Sequence, residues 1–81
     1  MNSFINDLDE IVCWPKKPAD KQVVIKYLSE KFVSNKLYSE KEVNEIIRKF
    51  HSFNDVPLLR RELISRKFLN RKDDGSEYWK S

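Results

Sequence analysis

Apolar residues recur along the chain at spacings that change from one stretch to the next, and each stretch predicts an element. From Ser3 to Val12, the residues Phe4, Ile5, Leu8, Ile11 and Val12 stand one, three or four apart. That spacing predicts a short amphipathic helix capped by Ser3, too short to hold alone and therefore packed on something. Trp14-Pro15 ends it. Lys16-Lys17-Pro18 reads as a linker, because the residue before a proline is pushed out of the helical region. A second helix is predicted from Ala19 to Phe32, with Val23, Val24, Tyr27, Leu28 and Phe32 as its apolar stripe and Asp20 at the positive end of its dipole. Lys21, Lys26 and Lys31 occupy its other faces. Ser34-Asn35-Lys36 is a turn, and Leu37-Tyr38 a short strand or extended link.

The third helix has the clearest start. Ser39-Glu40-Lys41-Glu42 is a capping box, in which the Ser39 hydroxyl accepts the Glu42 N–H and the Glu42 carboxylate accepts the Ser39 N–H. Tyr38 and Val43 bracket the box as a hydrophobic staple, and Ile46, Ile47 and Phe50 continue the buried face. His51 to Asn54 is a turn, with the imidazole expected to end the third helix as a partly charged group suited to its dipole. Asn54 or Asp55 caps the fourth helix, Pro57 sits harmlessly in its first turn, and the helix ends near Arg66 or Lys67. Phe68 to Lys72 and Glu77 to Lys80 are strands around the Asp74-Gly75 turn signal. The predicted fold class is α+β, mostly helical. It is a winged helix-turn-helix domain over residues 16–81 with a C-terminal β-hairpin wing, preceded by an extra N-terminal amphipathic helix and linker in residues 1–15.

A helical wheel sorts the fourth helix. Val56, Leu59 and Leu63 share one side, with Ile64 at its edge. Arg61 and Ser65 fall opposite, with Leu58 and Glu62, and are the candidates to face a DNA groove. Arg60 lies between Leu63 and Ile64 on the wheel. It is expected to lie along the core edge and pair with Glu42 or Glu45, while remaining a candidate DNA contact. Lys67, Arg71 and Lys72 on the hairpin, with Lys80 on its return strand, would touch phosphate. The alternative for these charges is protection of an edge strand. Lys41 could meet a phosphate at the start of the third helix.

Length and composition narrow the classes. The 81 residues suffice for one small domain, and 40% hydrophobic with 36% charged residues describes a folded, soluble chain. One glycine and three prolines favour helices over an all-β fold with many tight turns. No apolar run reaches the length of a membrane span, and the acidic start lacks the pattern of a secretory signal. The one cysteine, Cys13, cannot form an internal disulfide, so a reducing, cytoplasmic setting is expected. One histidine and one cysteine make neither a metal site nor a complete nucleophile–base–orienter set. The only glycine, Gly75, forms no phosphate loop. No cofactor and no enzyme activity are expected.

The formal charge is +3. Asp55 to Lys72 holds six basic residues against two acidic, and Lys16 to Lys36 the same, so each stretch carries +4, while the first fifteen residues carry −3. The basic stretches read either as one phosphate-facing surface or as ordinary solvated charge. Among the aromatic residues core packing outweighs base stacking. Trp14 and Trp79 could meet near the termini or form part of a dimer contact.

Specific strings carry a resemblance. Tyr38-Ser39-Glu40-Lys41-Glu42-Val43-Asn44-Glu45-Ile46-Ile47, Asp55-Val56, Leu59-Arg60-Arg61-Glu62-Leu63, Leu69-Asn70-Arg71 and Tyr78-Trp79 resemble the uncharacterised bacterial family termed domain of unknown function 2087. Trp14-Pro15-Lys16-Lys17 and the helix from Val23 to Phe32 resemble it as well. The resemblance implies a winged-helix-like domain, sometimes fused behind a helix-turn-helix regulator, and implies no activity. Two departures stand out. The family usually has a glycine before the strand leading into the wing, where this chain has Lys67. A left-handed helix end costs a non-glycine residue about 1 kcal/mol, so a differently shaped junction is expected. The chain also starts at its own methionine, with no fused regulator expected.

Two functions from different classes follow. The first is a DNA-binding transcriptional regulator, its fourth helix in the major groove of double-stranded DNA and its hairpin on the backbone, with a homodimer built on Phe4, Ile5 and Leu8. The second is a protein-interaction module without nucleic-acid binding, favoured by an acidic hairpin tip (Asp73, Asp74) and an exposed Leu58.

Overall fold

The computed structural model describes residues 4–80. Its elements are α1 (Pro18–Ser29), β1 (Leu37–Tyr38), α2 (Glu40–Lys49), α3 (Val56–Ser65), β2 (Leu69–Arg71) and β3 (Tyr78–Lys80). The strands form one antiparallel sheet in the order β1-β3-β2. β3 pairs on one side with β1 (Leu37 opposite Trp79, Tyr38 opposite Tyr78) and on the other with β2 (Leu69 opposite Lys80, Arg71 opposite Tyr78). This small α+β arrangement is compatible with a winged-helix-like fold.

The helices pack around a shared core. Val24, Ile25 and Leu28 of α1, Val43 and Ile47 of α2, and Leu59 and Leu63 of α3 are all fully buried. Each such side chain contributes about 1.5–3 kcal/mol relative to exposure. The stripe of α1 is rotated from the expected one: Ile25 is buried and Val23 is 52% exposed. α1 also ends at Ser29, earlier than expected, where the Ser29 hydroxyl donates back to the Lys26 carbonyl at 2.6 Å. Phe32 stays in the core as an edge-on partner of Tyr38, and the Tyr38 hydroxyl accepts the Val33 N–H at 2.7 Å. That pair turns the chain from α1 into β1.

The capping box of α2 forms as read. Ser39 Oγ accepts from the Glu42 N–H at 3.1 Å, and Glu42 Oε1 from the Ser39 N–H at 2.9 Å. These bonds from Ser39 hold the Glu42 carboxyl below the usual carboxylate range. Asp55 caps α3 through the Leu58 N–H at 3.2 Å.

No helix forms at the N-terminus among the described residues, so the extra N-terminal helix is corrected; Ser3, its expected cap, lies outside them. Asn6 is the reason. Its side-chain oxygen accepts the N–H groups of Leu8 and Glu10 at 2.9 and 3.0 Å, offering the backbone a turn in competition with a helix. Ile5 and Ile11 then face each other across an antiparallel bridge, and Ile11 bridges in parallel to His51. Ile11 is fully buried, while Leu8 is 76% exposed.

His51 is also used differently. It is buried, with Nδ1 2.6 Å from the Ile47 carbonyl oxygen and Nε2 2.9 Å from the Asp55 N–H. A backbone N–H can only donate, so Nε2 accepts and Nδ1–H donates to Ile47. The ring meets the last turn of α2, as expected, but it also accepts from the cap of α3. It bolts the end of α2 to the cap of α3.

The α3–β2 junction keeps the left-handed shape despite its lysine. Lys67 has φ +66°. Its N–H donates to the Ile64 carbonyl and that of Phe68 to the Leu63 carbonyl, both at 3.0 Å, the paired bonds of a Schellman motif.

Two predictions follow from these joints. Lys67→Gly relieves the strained backbone and raises stability by about 1 kcal/mol, read as a higher midpoint in urea unfolding. His51→Ala removes the acceptor of the part-buried Asp55 N–H and a buried ring, while the Ile47 carbonyl keeps the Phe50 N–H, and it lowers stability by about 2 kcal/mol in the same measurement.

Candidate nucleic-acid interface

Packing fixes which face of α3 is free. Val56, Leu59 and Leu63 are buried, so the opposite face, carrying Arg61 and Ser65, points to solvent as the wheel requires. These two side chains stand one turn apart, and neither has a hydrogen bond or ion pair among the described residues. Leu58, expected to be exposed on this face, is half-buried.

Arg60 is held from inside. Its Nη1 donates to Asn44 Oδ1 at 2.5 Å, and its Nε lies 3.9 Å from Glu40 Oε1. The expected partners were Glu42 or Glu45. Glu42 is committed to its capping box, and Glu45 lines a different groove with Ile46 and Lys49. Glu40 and Asn44, four residues apart on α2, share the side that meets α3. A wheel drawn for α2, as for α3, carries that signal.

The Schellman turn at Lys67 sends the chain into β2, and the hairpin returns it past α3. Between α3, the start of α2 and the hairpin lies a cleft of about 490 Å³, lined by Arg60, Arg61, Ser65 and Arg71 with Glu40, Asp74 and Tyr78. Four of the seven expected contact residues thus come together. Lys41, Lys67 and Lys72 are exposed but do not line this cleft.

Several charges here are already engaged. Arg71 Nη1 donates to the carbonyls of Lys72 and Asp73 at 3.0 and 3.1 Å, bracing the turn of its own hairpin. Lys72 Nζ lies 2.6 Å from Glu77 Oε1, and that hydrogen bond raises its pKa. Asp74 accepts the Ser76 N–H at 2.9 Å, and its contacts with Ser76 hold the carboxyl below its usual range. The Tyr78 hydroxyl donates to Glu40 Oε1 at 3.4 Å, and burial, followed by the charge of Glu40, pushes the phenol up. Gly75, at φ +75°, lets the four-residue loop close, with its N–H on the Lys72 carbonyl at 2.9 Å.

Sequence reasoning did not include Glu40, Asn44 or Tyr78 in this site. Glu40 registered only as part of a cap and Tyr78 only as a strand residue. Chemically, the cleft offers one unengaged guanidinium (Arg61), one unengaged hydroxyl (Ser65), the Tyr78 hydroxyl bonded to Glu40, two structured arginines and two carboxylates. Among the described residues no group of three or more His, Cys, Asp or Glu side chains could hold a metal ion. Among the described residues no helix is long and apolar enough to cross a membrane.

No curated protein and no solved structure matches this chain. Residues 10–80, which span all three helices, the sheet and every side chain of the cleft, match the family described as an uncharacterized protein conserved in bacteria, and the chain accordingly belongs to that family, domain of unknown function 2087.

Proposed function

We propose that this domain is a winged-helix-like DNA-binding module acting in bacterial transcriptional control. In this reading α2 and α3 are the helix-turn-helix, α3 lies in the major groove and the β2–β3 hairpin grips the backbone. The observation that carries it is the pair Arg61 and Ser65. They stand one turn apart on the solvent face of α3, without internal partners, beside a hairpin that is basic along its strands.

The structured arginines take a supporting part. Arg60, tied to Asn44 and Glu40, fixes how α3 lies on α2 and is a positioning residue. Arg71 stiffens the hairpin turn and keeps its remaining donors for phosphate. Arg61 has the fork of donors that pairs with guanine or clamps a phosphate. Lys67, Lys72 and Lys41 add phosphate attraction that carries no sequence information. The acidic residues Glu40 and Asp74 exclude close backbone approach at the cleft, so the duplex contact lies along the outer face of α3. A DNA target and an exposed, reduced Cys13 fit a cytoplasmic setting.

The alternative, a protein-interaction module, draws on the two carboxylates in the cleft, which suit a peptide better than a phosphate backbone. It loses its apolar anchor, since Leu58 is half-buried.

Titration of fluorescent duplex DNA tests the reading. Binding at low salt is expected to weaken steeply as salt rises, and Arg61→Ala to lower affinity by about tenfold to a hundredfold. Lys67→Gly, which stabilises the fold, is expected to reduce the salt slope by about one. Absence of binding at low salt overturns the proposal.

A further inference from the structure

The cleft between α3, the start of α2 and the hairpin holds charges of both signs that do not pair off. Arg61 forms no ion pair among the described residues, although Glu40 and Asp74 line the same cleft. Glu40 keeps acceptor capacity. Its side chain is 53% exposed and its contacts are long, 3.9 Å to Arg60 Nε and 3.4 Å to the Tyr78 hydroxyl. The short bond of Arg60 goes elsewhere, to Asn44 Oδ1. Asp74 accepts the Ser76 N–H through Oδ1 and forms no ion pair among the described residues. Arg71 places Nη1 on the carbonyls of Lys72 and Asp73, and its other donors stay available.

Most of these groups are held in place by bonds that serve the fold. Glu40 is the first residue of α2, directly after the Ser39 cap. Arg60 is tied to Asn44, Asp74 to Ser76 and Arg71 to its own turn. Opposite charges fixed in one cleft without pairing are the complement of a ligand that carries both signs, and their being fixed lowers the ordering cost of binding it. The volume of about 490 Å³ is that of a small-molecule site. Three guanidiniums against two carboxylates leave the lining at +1. Glu40 and Asp74 repel a phosphodiester, and the arginines repel a simple amine. A molecule with two carboxylates and one ammonium group matches both the signs and the sum.

We propose that this cleft binds a free acidic amino acid, with one carboxylate on Arg61 and Ser65, the other on Arg71, and the ammonium group on Glu40 and Asp74. The guanidinium fork suits a carboxylate, and an ammonium group has donors enough for two carboxylates. The groups are open to water, which screens them, so the affinity is millimolar. The proposal does not rest on DNA binding. A ligand seated on Arg61 and Ser65 would compete with a duplex for the same two side chains.

Two-dimensional amide NMR of the isotopically labelled full chain, titrated with L-glutamate at constant ionic strength and without DNA, tests it. Saturable shifts are expected at Arg61, Ser65 and Gly75, the last a resolved reporter because it is the one glycine of the chain. Glutarate, a diacid of the same length without the ammonium group, is expected to bind about tenfold more weakly. Arg61→Ala and Glu40→Gln, both at exposed positions, are each expected to weaken glutamate binding by about tenfold. Asp74→Asn, which keeps an acceptor for the Ser76 N–H, reads the ammonium contact if Glu40→Gln disturbs the start of α2. Lys26→Ala removes an exposed charge outside the cleft and is expected to change nothing. The proposal is overturned by the absence of a saturable shift, by glutarate binding as tightly as glutamate, or by binding that Arg61→Ala and the carboxylate variants leave intact. It is equally overturned if Lys26→Ala weakens binding as much as they do. A chain that binds duplex DNA but not glutamate overturns this proposal alone, and one that binds glutamate but no DNA overturns only the DNA-binding reading.

Discussion

The structure depends on a strand of three residues. β3 is the middle strand of the sheet, so both other strands hold their places through it. It is also the last element among the described residues, and the sheet closes only when Tyr78–Lys80 return between β1 and β2, about forty residues after β1 forms its side. Strand geometry then does the rest, because successive side chains point to opposite faces. Tyr78 turns inward, is buried, and reaches Glu40 in the lining of the cleft. Trp79 turns outward and lines an open groove beside Leu37. One pair of neighbouring aromatic residues therefore builds one concave site on each side of the sheet.

Charge on this domain divides into groups that hold the fold and groups that are left for solvent or a partner. Arg66 belongs to the first set, bridging Glu62 at 2.7 Å within α3 and Gln22 of α1 at the same distance. Arg60 ties α3 to α2, and Arg71 and Lys72 tie the hairpin to itself. Arg61 stands in the second set. A net charge of +3 conceals this distinction. Simple counts of basic residues in the last third of the chain overstate the charge available to a phosphate, and the engaged arginines serve mainly to make the remaining surface rigid.

Much of this was legible in the sequence, for reasons that are local. The capping box at Ser39 and the Asp74-Gly75 turn are short signals satisfied by their own neighbours. The α3 wheel sorted Arg61 from Arg60 correctly because a helix packed on one side has only one free face. The failures are where a longer-range partner decides. Phe4 to Val12 have helical spacing, yet the Asn6 side chain and the Ile11–His51 bridge draw the same residues into a turn. By contrast, Ile25 takes the place expected of Val23 because the buried stripe of α1 runs through Val24, Ile25, Leu28 and on to Phe32, a helical spacing that leaves Val23 off it. Arg60 was recognised as structural, but its partners on α2 depend on how the two helices cross.

Lys67 shows how a locally unfavourable residue can be held by its surroundings. A left-handed conformation costs an ordinary residue about 1–2 kcal/mol. The conformation is nevertheless fixed from both sides. Leu63 before the turn and Leu69 after it are buried, at 0% and 1% exposure, and cannot move without opening the core. Between them the N–H groups of Lys67 and Phe68 satisfy carbonyls at the end of α3. The strain is thus confined to one residue, and relaxing it by a change of backbone shape would cost more than it returns. Only a change of side chain removes it, and the side chain in question is an exposed ammonium group at the joint between α3 and the hairpin. On the DNA-binding reading that joint is where a phosphate passes from helix to hairpin, so the cation occupies a place where glycine would be more stable and a positive charge is more useful.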